Sequence, residues 1–271
     1  MKQIILPTDF SKNAGNAFDW ALMLARRSEA TINLLHAYHF HVSENPTPEK
    51  LEMFEEKFKN LIDEARNKPG AGTFPTFKIW LRSELAADAI FNLSISLPAD
   101  LVIMGTQGVG ELEGLIMGSV TSKIVAESTV PVWVIPSKAD FFVPETFVFA
   151  TTLDVDQISS LKKIASIARF FDAQIEVVHI QTPSEKFDQT RLDQFEAELR
   201  KAADSGTFRF NLFQSISVED GLAEFCEHKE NAVICMVHEK RNFLSTLFER
   251  SHSKKMTLHS HIPLIIFPLL P

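Results

Sequence analysis

Ile4-Ile5-Leu6-Pro7-Thr8-Asp9 is an apolar run closed by a turn, and 143 residues later Phe147-Val148-Phe149-Ala150-Thr151-Thr152 has the same form. The residues after each run decide the fold. Beyond the first, Ala14, Ala17, Ala21, Leu24 and Ala25 recur at helical spacing, with Ser11 placed to cap the helix, and Thr31 to His36 reads as a second strand. Beyond the second, Ile158, Leu161, Ile164, Ala165 and Ala168 form the stripe, and Gln174 to His179 the strand. The copies register without a gap, so that Ala25 meets Ala168 and His36 meets His179. Agreement of that length marks an internal repeat.

Each copy then continues alike. A polar helix (about 48–66 and 185–203) precedes a short strand (Thr76 to Leu81, and Phe208 to Phe213). A further helix (about 84–96 and 217–229) leads to Asp100-Leu101-Val102-Ile103-Met104 or Ala232-Val233-Ile234-Cys235-Met236. A Pro-led strand closes each copy, at Pro131 to Ile135 and Pro263 to Phe267. Strands alternating with helices, several strands being continuous apolar runs, predict a parallel sheet covered on both faces. The expectation is an α/β chain of two tandem Rossmann-like domains, each an open five-stranded, mainly parallel sheet. Domains are expected over 1–137 and 145–271, with Pro136 and Pro144 bracketing the boundary.

Bulk properties narrow the function classes. The chain has 271 residues, comfortable for two cores, and 45% hydrophobic against 23% charged residues argues for folded domains. A net charge of −8 argues against a surface that coats nucleic acid, which needs clustered Lys and Arg. Met1-Lys2-Gln3 leads directly into a strand, and no apolar stretch reaches spanning length, so a cytoplasmic protein with no membrane span is expected. Cys226 and Cys235 read as reduced core thiols rather than a disulfide or metal pair.

The glycines are the most informative residues. Five of the ten lie between Gly105 and Gly118. Gly105 follows the strand ending at Met104, and Gly118-Ser119 precedes an apolar helix containing Val120, Ile124 and Val125. A strand, a permissive loop and a helix start suit close approach of a phosphate, with free amides and the helix dipole behind them. Ser119 is expected as both cap and phosphate donor. In open α/β sheets the ligand lies beyond the carboxyl ends of strands where the strand order reverses, so the loops after Asp9 and Gly105 should flank the crevice. A Rossmann fingerprint is absent, since the first turn reads Pro7-Thr8-Asp9-Phe10-Ser11, and Gly118-Ser119 lacks the lysine of a Walker A loop. On spacing alone, a tight connection without ligand stays open.

At these residues the chain resembles the universal stress protein family, over nearly its whole length in two copies. The family's nucleotide motif, G-x2-G-x9-G-[S/T], reads here as Gly105, Gly108, Gly118 and Ser119; the Pro-Thr-Asp-Phe-Ser opening and the Leu35-His36-Ala37 strand end match as well. The resemblance implies the adenine nucleotide α-hydrolase-like fold and a bound ATP. Asp9, in the turn Pro7-Thr8-Asp9, would meet the adenine or ribose, and the backbone of Ala37 the base. Met104, Gly105 and Gly108 would border ribose and phosphates, with Gly118, Ser119 and Val120 on the phosphate tail. Gln107 stands where the family often has a basic residue, and Glu111 and Glu113 add negative charge, so Mg²⁺ or Mn²⁺ is expected beside the triphosphate. Family members usually dimerise through the last strand. Pairing Val132 to Ile135 with Leu264 to Phe267 would make a pseudo-dimer inside one chain; a further homodimer is left open.

The second copy departs from the pattern. Thr152 stands for Asp9, and Val237, Lys240 and Arg250 stand for Gly105, Gly108 and Gly118, so one ATP is expected, in the first domain. Lys240, Arg241 and Arg250 read as surface charges, with a weak anion pocket of their own as the alternative. His36, His39 and His41, like His252, His259 and His261, lack ligand spacing for zinc and read as ordinary histidines. No nucleophile–base–acid set is legible. A regulatory ATP-binding protein without strong catalysis is therefore expected, ahead of a scaffold or small-molecule carrier and of a slow ATP hydrolase.

Overall fold

The computed structural model describes residues 1–38, 47–106, 117–202, 208–238 and 261–268. The chain divides into two compact units, Met1–Ser137 and Lys138–Pro271. The loop residues Gln107, Gly108, Glu111 and Glu113, together with His39, His41, Lys240, Arg241, Arg250, His252 and His259, lie outside the described residues.

In the first unit β1 (Gln3–Pro7), β2 (Thr31–Ala37), β3 (Phe77–Arg82), β4 (Leu101–Gly105) and β5 (Val132–Ile135) alternate with α1 (Lys12–Ser28), α2 (Pro48–Asn67), α3 (Ala86–Ser96) and α4 (Ser119–Glu127). The strands lie in the order β3-β2-β1-β4-β5, all parallel. Apolar runs such as Leu101–Ile103 and Val132–Ile135 are buried along their whole length, as a sheet covered on both faces requires. α1 presents Ala17, Phe18, Ala21, Leu24 and Ala25 to the sheet, and Trp20 meets Trp133 edge-on with ring centroids 5.5 Å apart. α1 crosses from β1 to β2 and packs over β4 and β5 as well, while α3 and α4 pack against each other.

The second unit repeats the plan with β6 (Thr146–Ala150), α5 (Ile158–Ala168), β7 (Gln174–Gln181), α6 (Gln189–Ala202), β8 (Phe208–Gln214), α7 (Val218–Glu227), β9 (Ala232–His238) and β10 (Leu264–Pro268). Its parallel strands run β10-β9-β6-β7-β8. The expected fold class is therefore the one observed, with strand and helix ends displaced by a few residues. Cys226 and Cys235 are free and buried; burial pushes the Cys226 thiol up to about 12 and Cys235 well above its usual range.

One buried position separates the two sheets. In β2, the fully buried Asn33 donates to the Ile4 carbonyl at 3.2 Å and to Gln3 Oε1 at 2.9 Å, and accepts from Trp80 Nε1 at 3.1 Å. The matching residue of β7 is Glu176, whose buried carboxylate needs a counter-charge. Lys229 Nζ supplies it at 2.8 Å, with Arg209 more distant at 3.9 Å. Removing Lys229 strands a buried charge, so Lys229→Met should destabilise the protein by about 2–3 kcal/mol, somewhat under the cost for a wholly enclosed pair. Arg209, largely exposed, should cost under about 1 kcal/mol as Arg209→Met. Urea unfolding of both variants checks the order; equal losses would contradict it.

Candidate functional site

Strand order reverses between β1 and β4: from β1 the chain moves to β2 and β3 on one side, then returns to β4 on the other. The connections leaving these two neighbours diverge, and a cavity of about 140 Å³ opens at their carboxyl ends.

The turn after β1 forms one wall and is held by its own side chains. Thr8 Oγ1 accepts from the Phe10 amide at 3.0 Å, and Asp9 Oδ1 accepts from the Ser11 amide at 2.9 Å. Phe10 takes a left-handed backbone, φ 62°, which such local bonds stabilise. Ser11 then caps α1, its hydroxyl accepting from the Ala14 amide at 3.2 Å. From β2, the Thr8 amide donates to the Leu35 carbonyl, and His36 Nδ1 donates to the Thr8 carbonyl at 2.8 Å. Phe10 packs on His36 and Phe58, at centroid distances of 4.8 and 5.1 Å, and Phe54 covers His36 at 4.5 Å. This aromatic cluster fills the space beside the turn and leaves Asp9 half-buried at the cavity wall.

Seven of the residues singled out from sequence line the cavity: Pro7, Thr8, Asp9, Ala37, Met104, Gly105 and Val120. Gly118 is buried but does not line it, Ser119 is exposed on α4, and Gly108 lies outside the described residues. The cap of α4 differs from expectation. Ser119 is the first helical residue and Gly118 is the cap, in an extended conformation (φ −74°) with no side-chain cap bond. Gly118 instead donates its amide to the Thr106 carbonyl, and Thr121, one turn along, donates its hydroxyl to the Gly105 carbonyl at 3.0 Å. Gly105 has a packing reason as well: a Cβ there would stand 3.2 Å from the Asn13 carbonyl oxygen at the start of α1.

Sequence reading missed Ala14, Leu35, Ala86, Ile90 and Thr121, which complete the lining. Ala14 and Ala86 were legible only as helix-forming residues. Their signal is size, since each is a small side chain in the first turn of a helix that begins beside the carboxyl ends of the strands.

The equivalent position in the second unit is built differently. Leu153 keeps the left-handed turn (φ 65°), but Gln157 stands where Ala14 stands, in a 3₁₀ turn that precedes α5. Its carboxamide accepts from Thr151 Oγ1 at 2.7 Å and donates to Thr152 Oγ1 at 2.8 Å. Val237, near the end of β9, replaces Gly105. Among the described residues no group of three or more His, Cys, Asp or Glu is placed to hold a metal ion. No helix among them is long and apolar enough to cross a membrane.

An open parallel sheet with its cavity at the switch point defines a Rossmann-like α/β domain. The Universal stress protein family model matches residues 1–136, half of the chain, and the chain belongs to that family. A universal stress protein of Thermus aquaticus is 34% identical over 137 residues, 48% of this chain and 96% of its own length. A solved universal stress protein from Archaeoglobus fulgidus shares the fold over 98% of this chain and 96% of its own, at 17% identity and a TM-score of 0.66.

The bond from His36 to Thr8 ties the site to acidity. Burial pushes the His36 ring below its usual range, the Thr8 carbonyl pulls it back up, Lys57 lowers it and Asp9 raises it. The unfolded chain thus binds a proton more readily than the folded one, and this contribution is complete above about pH 6.5 and fades as pH falls through the lowered folded value. Thermal unfolding of the parent and of His36→Gln should differ most near about pH 7.5 and converge on acidification towards about pH 5. A difference independent of pH would contradict this.

Proposed function

We propose that the first unit binds an adenine nucleotide, ATP with Mg²⁺ or Mn²⁺, and that the protein acts in the stress response as a regulator rather than a catalyst. The observation that carries this reading is the cavity at the ends of β1 and β4, walled by Asp9 and Ala37 on one side and by Gly105 and Val120 on the other. Its apolar surfaces, Leu35, Ile90 and Met104, suit the faces of a purine. About 140 Å³ is less than the roughly 300 Å³ at which whole-ligand sites usually begin, a size for the base rather than the full nucleotide. The phosphates would extend towards the remaining glycines of the motif and the start of α4, where no side chain caps the helix.

Binding rather than turnover fits the groups on the wall. Asp9 is engaged with the Ser11 amide, Thr8 with the Phe10 amide, and Thr121 with the Gly105 carbonyl. Such groups can recognise a base and sugar.

Calorimetric titration with ATP and AMP, with and without Mg²⁺, should give one nucleotide per chain. Gly118→Val should abolish binding, with circular dichroism checking that the buried site still folds. Asp9→Ala, on the half-buried turn, should weaken binding by about tenfold or less, the scale of a single polar contact. ATP binding unchanged in both folded variants, or two ATP per chain, would overturn the reading.

A further inference from the structure

The second unit holds the larger cavity, about 420 Å³, lined wholly by its own residues. Its origin is a pair of replacements. Phe58 of α2 and Phe195 of α6 are both fully buried, and one turn before them stand Phe54 and Arg191. In the first unit Phe54 and Phe10 pack around His36. In the second, Leu153 replaces Phe10 and Arg191 replaces Phe54, so the ring of His179 borders open space instead of an aromatic cluster.

Among the described residues, His179, Glu185 and Arg191 are the titratable groups on its lining. His179 keeps the bond of its counterpart, Nδ1 donating to the Thr151 carbonyl at 2.9 Å, but its Nε2 lies 3.1 Å from Glu185 Oε1. Both ring nitrogens thus face acceptors. Arg191 is the remaining charged group on the lining, and among the described residues its guanidinium has no hydrogen bond or ion pair. The adjacent carboxylate, Asp188, is occupied by the amides of Thr190 and Arg191. Among the described residues, Arg191 is thus the lining guanidinium left open to a ligand. Val178, Ile180, Val218, Met236 and Val237 make the inner wall apolar, with Thr182 and Gln157 among the polar groups.

We propose that this cavity is a binding site for a small organic monoanion, a carboxylate with an apolar body, held by Arg191 and bordered by the His179–Glu185 pair. The volume lies in the usual range for small-molecule sites, roughly 300–1,000 Å³. A planar guanidinium matches a carboxylate with two parallel hydrogen bonds. A nucleotide is disfavoured here, because Gln157 fills the place of Ala14 and Val237 that of Gly105. The proposal is independent of nucleotide binding in the first unit.

The test is calorimetric titration of the full chain with octanoate and with 1-naphthoate, one flexible and one flat, and with octanamide as a neutral counterpart. At least one carboxylate should bind with one site per chain and octanamide should bind markedly more weakly. Arg191→Gln, an exposed position that the fold tolerates, should weaken the carboxylate by about tenfold, the scale of one charge-assisted contact. Glu185→Gln removes the negative member of the pair and should leave carboxylate binding equal or tighter. The proposal is overturned if neither carboxylate saturates, if Arg191→Gln binds as the parent does, or if octanamide matches the carboxylates.

Discussion

In each unit the crevice at the strand ends arises from one constraint of parallel sheets: right-handed crossovers cannot leave neighbouring strands on opposite sides without separating the two connections. β1 and β4 are those neighbours in the first unit, and β6 and β9 in the second. What each unit does with the resulting crevice depends on the turn after its first strand. A histidine from the second strand holds that turn by the same bond in both, His36 to Thr8 and His179 to Thr151. The chain path is therefore fixed by backbone and imidazole, and the side chains around it are free to diverge.

The divergence is large. In the first unit aromatic rings occupy the flank of the turn, small residues open its inner face, and the cavity sits over the strand ends. In the second, Gln157 and Val237 line the crevice in place of Ala14 and Gly105, and loss of the rings extends it to the flank, where Arg191 and Glu185 stand. The second cavity keeps the strand-end lining, Ala150 to Thr152 with Met236 and Val237, and adds His179, Glu185 and Arg191 beside it. Buried polar positions diverge in parallel: Asn33 is satisfied by neutral partners, whereas Glu176 has recruited a lysine. The two units thus share a strand order while the side chains around the crevice differ.

Much of this was legible in the sequence. The 143-residue register between Ile4–His36 and Phe147–His179 anticipated the element order common to both units because apolar runs and helical stripes are set by burial. The turn Pro7-Thr8-Asp9, Ala37 and Gly105 were placed on the crevice from motif and topology together. Ser119 was read as the cap of α4, yet a glycine in extended conformation precedes the helix just as well, and composition does not distinguish the two. Ala14 and Ala86 were invisible because alanine signals helix and not the space it leaves. The flank of the second cavity was hidden for a similar reason. It is made by rings that are missing, and Phe54 and Arg191 correspond only once Phe58 and Phe195 are known to be buried alike.

Amide hydrogen exchange of the full chain, with and without saturating ATP and Mg²⁺, tests most directly whether nucleotide recognition resides in the first unit alone. Added protection should appear at Thr8–Ala14, at the end of β2 around Ala37 and across Gly118–Thr121, with exchange at Thr151–Gln157 and Val237 unchanged. Equal protection at Thr151–Gln157, or none at Thr8–Ala14, would contradict the division of labour between the two units.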